Sequence, residues 1–154
     1  MRDLVRVLKN RWVADGIALA PGASLSQIEE FEDGHGIQLP ADMRHFFRTM
    51  NGMGSRGPMD SNLYSFWDLG SVVGVLDELG LAAAPDFLPD ARSYFVFADY
   101  AIGVNFFCID LTTANHAVVC ISAERPITSD SVTHVSETFT SAIELYLAGA
   151  DPFI

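Results

Sequence analysis

The chain has few of the residues that build metal sites and disulfides, and it lacks the long apolar runs that build membrane spans. It contains two cysteines, Cys108 and Cys120, and four histidines that stand in no H-x-x-x-H or C-x-x-C arrangement. Zinc sites need closely spaced His and Cys ligands, so the sequence predicts no metal site and no cofactor. No apolar run approaches the roughly 20 residues that a membrane helix needs, so we expect a soluble protein without membrane contact.

Cysteine usage and the first residues both favour the cytoplasm. Free thiols inside strand-like apolar runs commonly pack as small hydrophobic groups, although a disulfide between neighbouring strands stays open. A signal peptide needs a continuous apolar segment of about 7–15 residues, and Lys9, Arg11 and Asp15 interrupt this stretch. We therefore expect a cytoplasmic protein whose chain begins with an amphipathic helix that contains Leu8 and Trp12.

Basic residues are nearly absent from the later part of the chain. Residues 1–56 hold 7 acidic and 7 basic side chains, whereas from residue 57 onward there are 13 acidic residues and only two basic ones, Arg92 and Arg125. The whole net charge of −11 therefore arises there. An acidic surface repels nucleic acid and anionic membranes and attracts basic proteins, although net charge can also serve solubility alone.

Two short amphipathic helices joined by an I-x-L-P junction are predicted between residues 24 and 54. Ser24 and Gln27 form a capping-box start, and two glycines end this first helix. Pro40 starts the second helix, whose apolar residues recur at i, i+3, i+4 and i+7. Asn51 and Gly52 then suit a left-handed C-terminal turn.

The remaining pattern predicts mostly strands. Alternation and turn signals predict strands at 63–67, 94–98, 104–111, 117–122 and 133–135, a helix at 72–79 capped by Ser71, and a last helix capped by Ser136. Short connections between successive strands make them antiparallel neighbours. The sequence thus predicts one α+β domain over 1–154, an antiparallel or mixed meander sheet of about four to six strands with helices packed on one side.

This order of motifs resembles the SUKH superfamily, which contains fungal cell-wall-assembly regulators and bacterial immunity proteins that neutralise polymorphic toxins. The resemblance is carried by acidic 29–33, G-I-x-L-P at 36–40, the helix ending in N-G at 41–52, the aromatic strand 63–69, and F-A-D at 97–99 followed by 106–111. The chain departs from the family pattern at 100–104, Y-A-I-G-V, where the turn is usually rich in Gly and Asp. The resemblance implies a domain that binds another protein.

Catalytic arrangements have little support. Asp99 and Asp110 flank a hairpin, and two neighbouring carboxylates can transfer protons or hold a cation. The alternative is a structural role, because Asp side chains in turns readily accept hydrogen bonds from the adjacent backbone. The glycine-rich run 52–57 follows a helix, whereas phosphate loops follow a strand. We expect that the protein is not an enzyme. The alternative hypothesis of a small-molecule hydrolase would gain support if the protein had an activity that was lost on changing Asp99 or His116.

The predicted binding surface combines aromatic side chains with nearby acids. Trp and Tyr often anchor interfaces, and carboxylates at the rim steer association. For Trp67 the alternative is a position in the core, because aromatic side chains supply much of the buried area. The predicted contact residues are Asp60, Tyr64, Trp67, Asp68, Asp99, Tyr100 and Asn105. Charge and resemblance together predict a non-enzymatic immunity protein that binds a basic toxin, such as a nuclease; the alternative is a scaffold or regulatory module with an endogenous partner. The oligomeric state stays open.

Overall fold

A computed structural model describes residues 1–149, which form five α-helices and six strands. The helices are α1 (Arg2–Ala14), α2 (Leu25–His35), α3 (Ala41–Thr49), α4 (Val75–Leu79) and α5 (Phe139–Ala148). The strands are β1 (Tyr64–Phe66), β2 (Val73–Gly74), β3 (Tyr94–Tyr100), β4 (Asn105–Asp110), β5 (Val118–Ser122) and β6 (Val132–Ser136). Residues 150–154 of the predicted domain lie outside the described residues.

All six strands belong to one antiparallel sheet. Its order is β1-β3-β4-β5-β6, and β2 also pairs with β3, on the edge that β1 occupies. Strands β3 to β6 follow one another as a meander because each connection is short. The predicted α+β class and the antiparallel meander are confirmed.

The sheet has a hydrophobic core on each face because successive side chains of a strand point to opposite sides. On β4, Phe107 and Ile109 join the first core, whereas Phe106 and Cys108 join the second. Helices α1, α2, α3 and α5 pack on the first face. The prediction of helices on one side therefore holds for these four, while the short α4 packs on the second face.

Helix α1 is amphipathic, as its sequence predicts. Val5, Leu8 and Trp12 recur at helical spacing and are buried in the first core. Trp12 Nε1 donates a 2.9 Å hydrogen bond to the hydroxyl of Tyr146 on α5. Burying one large apolar side chain contributes about 1.5–3 kcal/mol, so α1 is an integral part of the domain.

The junction between α2 and α3 is organised by Glu32. Its buried carboxylate accepts a 2.9 Å hydrogen bond from the Leu39 backbone N–H and pairs with Arg44 at 3.2 Å between Oε2 and Nη1. Leu39 and Ile37 are buried as well. The I-x-L-P segment thus places two side chains in the core, while Glu32 of α2 accepts the hydrogen bond of the Leu39 N–H. Pro40 stands immediately before the first residue of α3.

The predicted capping box of α2 is confirmed, but the end of α3 differs from the prediction. Ser24 accepts from the Gln27 backbone and the Gln27 side chain accepts from the Ser24 backbone, at 3.2 and 2.8 Å. Helix α3 ends in an extended Met50, so Asn51 and Gly52 do not form its left-handed cap. Asn51 Oδ1 instead accepts from the Leu69 N–H at 2.8 Å, which binds this turn to the segment after β1.

The predicted helix at 72–79 begins later than its apolar spacing suggests. Asp68 Oδ1 accepts from the Ser71 N–H at 2.9 Å and caps a single 3₁₀ turn, Leu69–Ser71. The chain then becomes extended as β2, which pairs with the part of β3 that β1 leaves open, and only afterwards forms α4. At the last helix, Thr138 is the cap because Ser136 is still the final residue of β6.

Within residues 1–149, no helix combines the length and apolar character that crossing a bilayer requires.

Candidate protein-binding site

Three of the predicted contact residues form a row across neighbouring strands. Tyr64 on β1 lies opposite Tyr100 on β3, and Tyr100 lies opposite Asn105 on β4. The two tyrosine rings are 5.0 Å apart between centroids, and all three side chains are partly exposed. The row runs across the end of the sheet where the β3–β4 turn, residues 101–104, projects.

Asp99 and Trp67 lie together on the second face, with Arg56 and Glu78. The Arg56 guanidinium stacks on the Trp67 ring, 4.1 Å from Cζ to the ring centroid, and its Nη2 lies 2.7 Å from Glu78 Oε2. Trp67 is only 1% exposed, so it is a core residue, which was the alternative for it. Its ring has almost no exposed surface for a partner, although Trp67 was among the predicted contact residues.

The Asp99 carboxyl is partly desolvated within this cluster. Burial raises the pKa of Asp99, and the Trp67 indole and Arg56 oppose that rise. Trp67 Nε1 and Asp99 Oδ1 are both buried and have no hydrogen-bond partner among residues 1–149. The Arg56 guanidinium, stacked on the Trp67 ring and paired with Glu78, supplies a positive charge to this cluster from within the chain.

Asp60 is buried, only 3% exposed, and its carboxylate is bonded within the chain, which speaks against its predicted contact with a partner. Its Oδ1 accepts 2.9 Å hydrogen bonds from the backbone N–H groups of Asn62 and Tyr64. Its Oδ2 accepts from the hydroxyl of Tyr146, which in turn accepts from Trp12. The carboxylate therefore holds the 60–64 turn to α1 and α5, and Asp68, as the cap of a 3₁₀ turn, also has a structural role.

Five exposed acids that the predicted set lacks lie over the second core. The segments 75–91 and 123–131 both pack on that core, and we call them the acidic layer. Their exposed acids are Asp77, Asp86, Asp90, Glu124 and Asp130. Arg125 is the only Lys or Arg in these segments, and its Nη2 donates to the Leu79 carbonyl at 2.8 Å. The excess of acids after residue 57 was the sequence signal for this layer.

Exposed apolar side chains gather beside the tyrosine row. Leu63 precedes β1, and Ile102 and Val104 belong to the β3–β4 turn, where the sequence departs from the family pattern. The Ala101 N–H donates to the Leu63 carbonyl at 3.0 Å, so the two turns contact each other. We call Leu63, Ile102 and Val104 the apolar tip.

The residues considered for acid–base chemistry are far apart along the hairpin. Asp99 pairs opposite Phe106, near one end of β4, whereas Asp110 ends the strand. Asp110 accepts from the backbone N–H groups of Thr112 and Thr113, each at 3.2 Å, and so caps the next turn. Among residues 1–149, no three His, Cys, Asp or Glu side chains are grouped so that they could hold a metal ion.

The two cysteines are buried free thiols on opposite faces of the sheet. Cys108 belongs to the second core and Cys120 to the first, although β4 and β5 are neighbours. Burial raises the pKa of Cys108 well above its usual value and the pKa of Cys120 to about 12. Side chains that point to opposite faces cannot form a disulfide, so the pairing left open by the sequence does not occur within this fold.

The comparisons with known proteins identify a family. No curated protein matches the chain. The model of the SMI1 / KNR4 family (SUKH-1) matches residues 22–144, from just before α2 into α5. The resemblance seen in the sequence is confirmed, and the chain belongs to this family.

Proposed function

We propose that the chain is a non-enzymatic, cytoplasmic immunity protein that binds a basic protein toxin, such as a nuclease, and covers its active site. Membership of the SMI1 / KNR4 family is consistent with an immunity role. The free buried cysteines suit a reducing compartment. The observation that carries the proposal is the acidic layer, whose five exposed acids are accompanied by one arginine that already binds a backbone carbonyl.

The acidic layer has a physical reason to select a basic partner. Clustered charges of one sign raise the rate of encounter with an oppositely charged protein and disfavour partners of like charge. The six Lys and Arg residues on α1 and α3 lie on helices of the other face. The helices of that face also carry seven acids, so their charges nearly cancel, whereas the acidic layer is not neutralised. A basic toxin would therefore approach the layer over the second core.

The first experiment is a pull-down with the tagged full chain from its native lysate at low salt. Bound proteins are eluted along a salt gradient and identified by mass. A basic nuclease or other toxin, bound one to one and released by modest salt, supports the proposal. An endogenous regulatory protein bound one to one contradicts it and favours the scaffold alternative, and retention of nothing basic also contradicts it.

A charge-matched pair of triple variants tests the acidic layer itself. The layer variant carries Asp77→Asn, Asp86→Asn and Asp130→Asn. The control carries Glu29→Gln, Glu30→Gln and Asp33→Asn, three exposed acids of α2, and so has the same net charge. We expect the layer variant to bind the co-purified protein more weakly and with less salt dependence, whereas the control binds like the wild type. Equal effects of both variants would contradict a role for this face.

A further inference from the structure

The apolar tip is an unusual concentration of exposed hydrophobic side chains. Its residues Leu63, Ile102 and Val104 are 46%, 82% and 43% exposed. They are three of the six large hydrophobic residues that are exposed within residues 1–149, and they lie in two turns that are hydrogen-bonded to each other. Single exposed hydrophobic residues are ordinary, whereas groups of them in neighbouring turns are typical of interaction sites.

The backbone of the two turns that carry the tip is strained. Leu63, Ala101 and Ile102 have φ of +70°, +50° and +59°, and these are the positive values among the non-glycine residues of 1–149. The left-handed region costs an ordinary L-residue about 1–2 kcal/mol, and a β-branched residue such as Ile102 is particularly unsuited to it. Such strain persists only where the surrounding structure holds it, and it is concentrated at functional sites.

The neighbouring sheet supplies the force that holds the strained turns. The register Tyr64, Tyr100 and Asn105 fixes both ends of the β3–β4 turn and the start of β1. Gly103 continues the turn at φ +79°, and a Cβ there would lie 3.2 Å from Phe106 Cζ. The turn therefore keeps Ile102 pointing away from the domain, although glycine or asparagine would adopt its backbone more easily.

The surroundings of the tip are acidic. No Lys or Arg occurs in residues 57–91 or 93–124, which include both turns. The exposed Glu124 follows Ala123, whose N–H donates to the Val104 carbonyl at 2.9 Å. On the other side, the exposed Asp15 accepts from the Ser61 N–H at 3.2 Å, two residues before Leu63. The tip thus lies between two segments that each carry an exposed carboxylate, and the nearby cation, Arg11, is stacked on the Tyr146 ring, which contacts Tyr64.

We propose that the apolar tip is the anchor that decides which partner the chain binds, by inserting Ile102 into an apolar pocket bordered by basic side chains on a partner protein. This inference rests on the proposed function and deepens it. The acidic layer attracts basic proteins in general, whereas the tip distinguishes one of them by shape. Anchors of this kind carry most of the free energy of an interface.

The test separates binding from stability at a single residue. Ile102→Gly and Ile102→Asn are compared with Val13→Asn, which removes another exposed apolar side chain, 61% exposed and on α1. The probe is the protein that co-purifies with the wild-type chain in the pull-down, and affinities are measured by calorimetry. We expect both Ile102 variants to unfold in urea at the same or a higher midpoint, because strain is relieved, and to bind about tenfold or more weakly.

The opposite results would overturn the inference. Unchanged affinity of the Ile102 variants, or an equal loss in Val13→Asn, would show that the tip is not an anchor. A lower urea midpoint would show that Ile102 packs within the domain. If the wild-type chain self-associates with rising concentration and the Ile102 variants do not, while partner affinity is intact, the tip forms contacts between copies and the inference fails.

The layer variant distinguishes failure of the tip inference from failure of the proposed function. If the layer variant binds weakly while the Ile102 variants bind normally, the inference fails and the acidic mechanism stands. If the Ile102 variants bind weakly while the layer variant binds normally and salt has no effect, the tip is the anchor and the proposed attraction of a basic toxin is wrong.

Discussion

Trp12 Nε1 donates a 2.9 Å hydrogen bond to the hydroxyl oxygen of Tyr146. Both residues lie outside the segment 22–144 that matches the family model, and both are buried. The Tyr146 hydroxyl donates onward to Asp60, which lies inside that segment. The beginning and the end of the described chain therefore meet in the first core and secure the turn before β1.

This relay predicts a specific loss of stability for Tyr146→Phe. The substitution keeps the ring but leaves the Trp12 N–H and Asp60 Oδ2 without their common partner, and a buried polar group left unpaired costs about 1–3 kcal/mol. The free energy of unfolding is measured in urea. The control is Tyr100→Phe, since Tyr100 is partly exposed. Equal losses in the two variants would contradict a role for the relay.

A second prediction concerns the α2–α3 junction. Glu32→Ala removes the acceptor of the Leu39 N–H and the partner of Arg44. We expect the unfolding free energy to fall by about 1–3 kcal/mol, because the Leu39 donor stays buried without an acceptor. Glu30→Ala, on the exposed side of the same helix, should have an effect within about 0.5 kcal/mol. A small effect of Glu32→Ala would show that water replaces the carboxylate.

Local signals in the sequence were sufficient for the existence of most helices and for the meander. The apolar spacing of α1 and α3 and the capping box of α2 depend on residues only three or four apart, and short loops set the antiparallel order. The start of α4 could not be predicted in this way. Val73 and Gly74 become β2 because the edge of β3 beyond β1 needs hydrogen-bond partners, which is a tertiary effect.

The site was less predictable because burial depends on distant residues. Asp60 stands in a polar turn, D-S-N, of a kind that is usually exposed, and its burial depends on Tyr146 much later in the chain. The row of Tyr64, Tyr100 and Asn105 depends on strand register, and a shift between Val96 and Ala98 alters that register along β3. Composition did reveal the acidic layer, but without showing which elements carry it.

A third prediction concerns the thiols. Burial raises the pKa of both cysteines, so little thiolate exists near neutral pH, and the thiolate is the reactive form. We expect an aromatic disulfide reagent to label neither Cys108 nor Cys120 in the folded protein and both in concentrated guanidinium chloride. Migration on non-reducing gels should equal that of the reduced protein. Rapid labelling of the folded protein would contradict the burial of these side chains.

A fourth prediction gives the pH dependence of stability at Asp99. The pKa of Asp99 is higher in the folded protein than its ordinary value of 3.8, so the folded state binds the proton more tightly. Ionisation therefore opposes folding, and this cost grows as pH rises from the unfolded pKa through the folded one. Asp99→Asn should be more stable than the wild type at neutral pH, with a gain that shrinks as pH falls towards 4.

Urea unfolding at several pH values between about 4 and 7 measures this gain. Asp86→Asn is the control because Asp86 is exposed in the acidic layer. A gain for Asp99→Asn that stays constant across this range, or that equals the effect of Asp86→Asn, would show that ionisation of Asp99 does not oppose folding.

Because helices cover one face of the sheet and the acidic layer covers the other, neither face is bare. What a visiting protein meets is the perimeter of the domain, made of turns, strand ends and the outer surfaces of the covering segments. Side chains on such a perimeter can be exchanged without repacking either core, because their neighbours are mostly solvent. The fold thereby separates the residues that keep the protein folded from those that a partner would contact, and a change confined to one turn would alter the perimeter without disturbing either core.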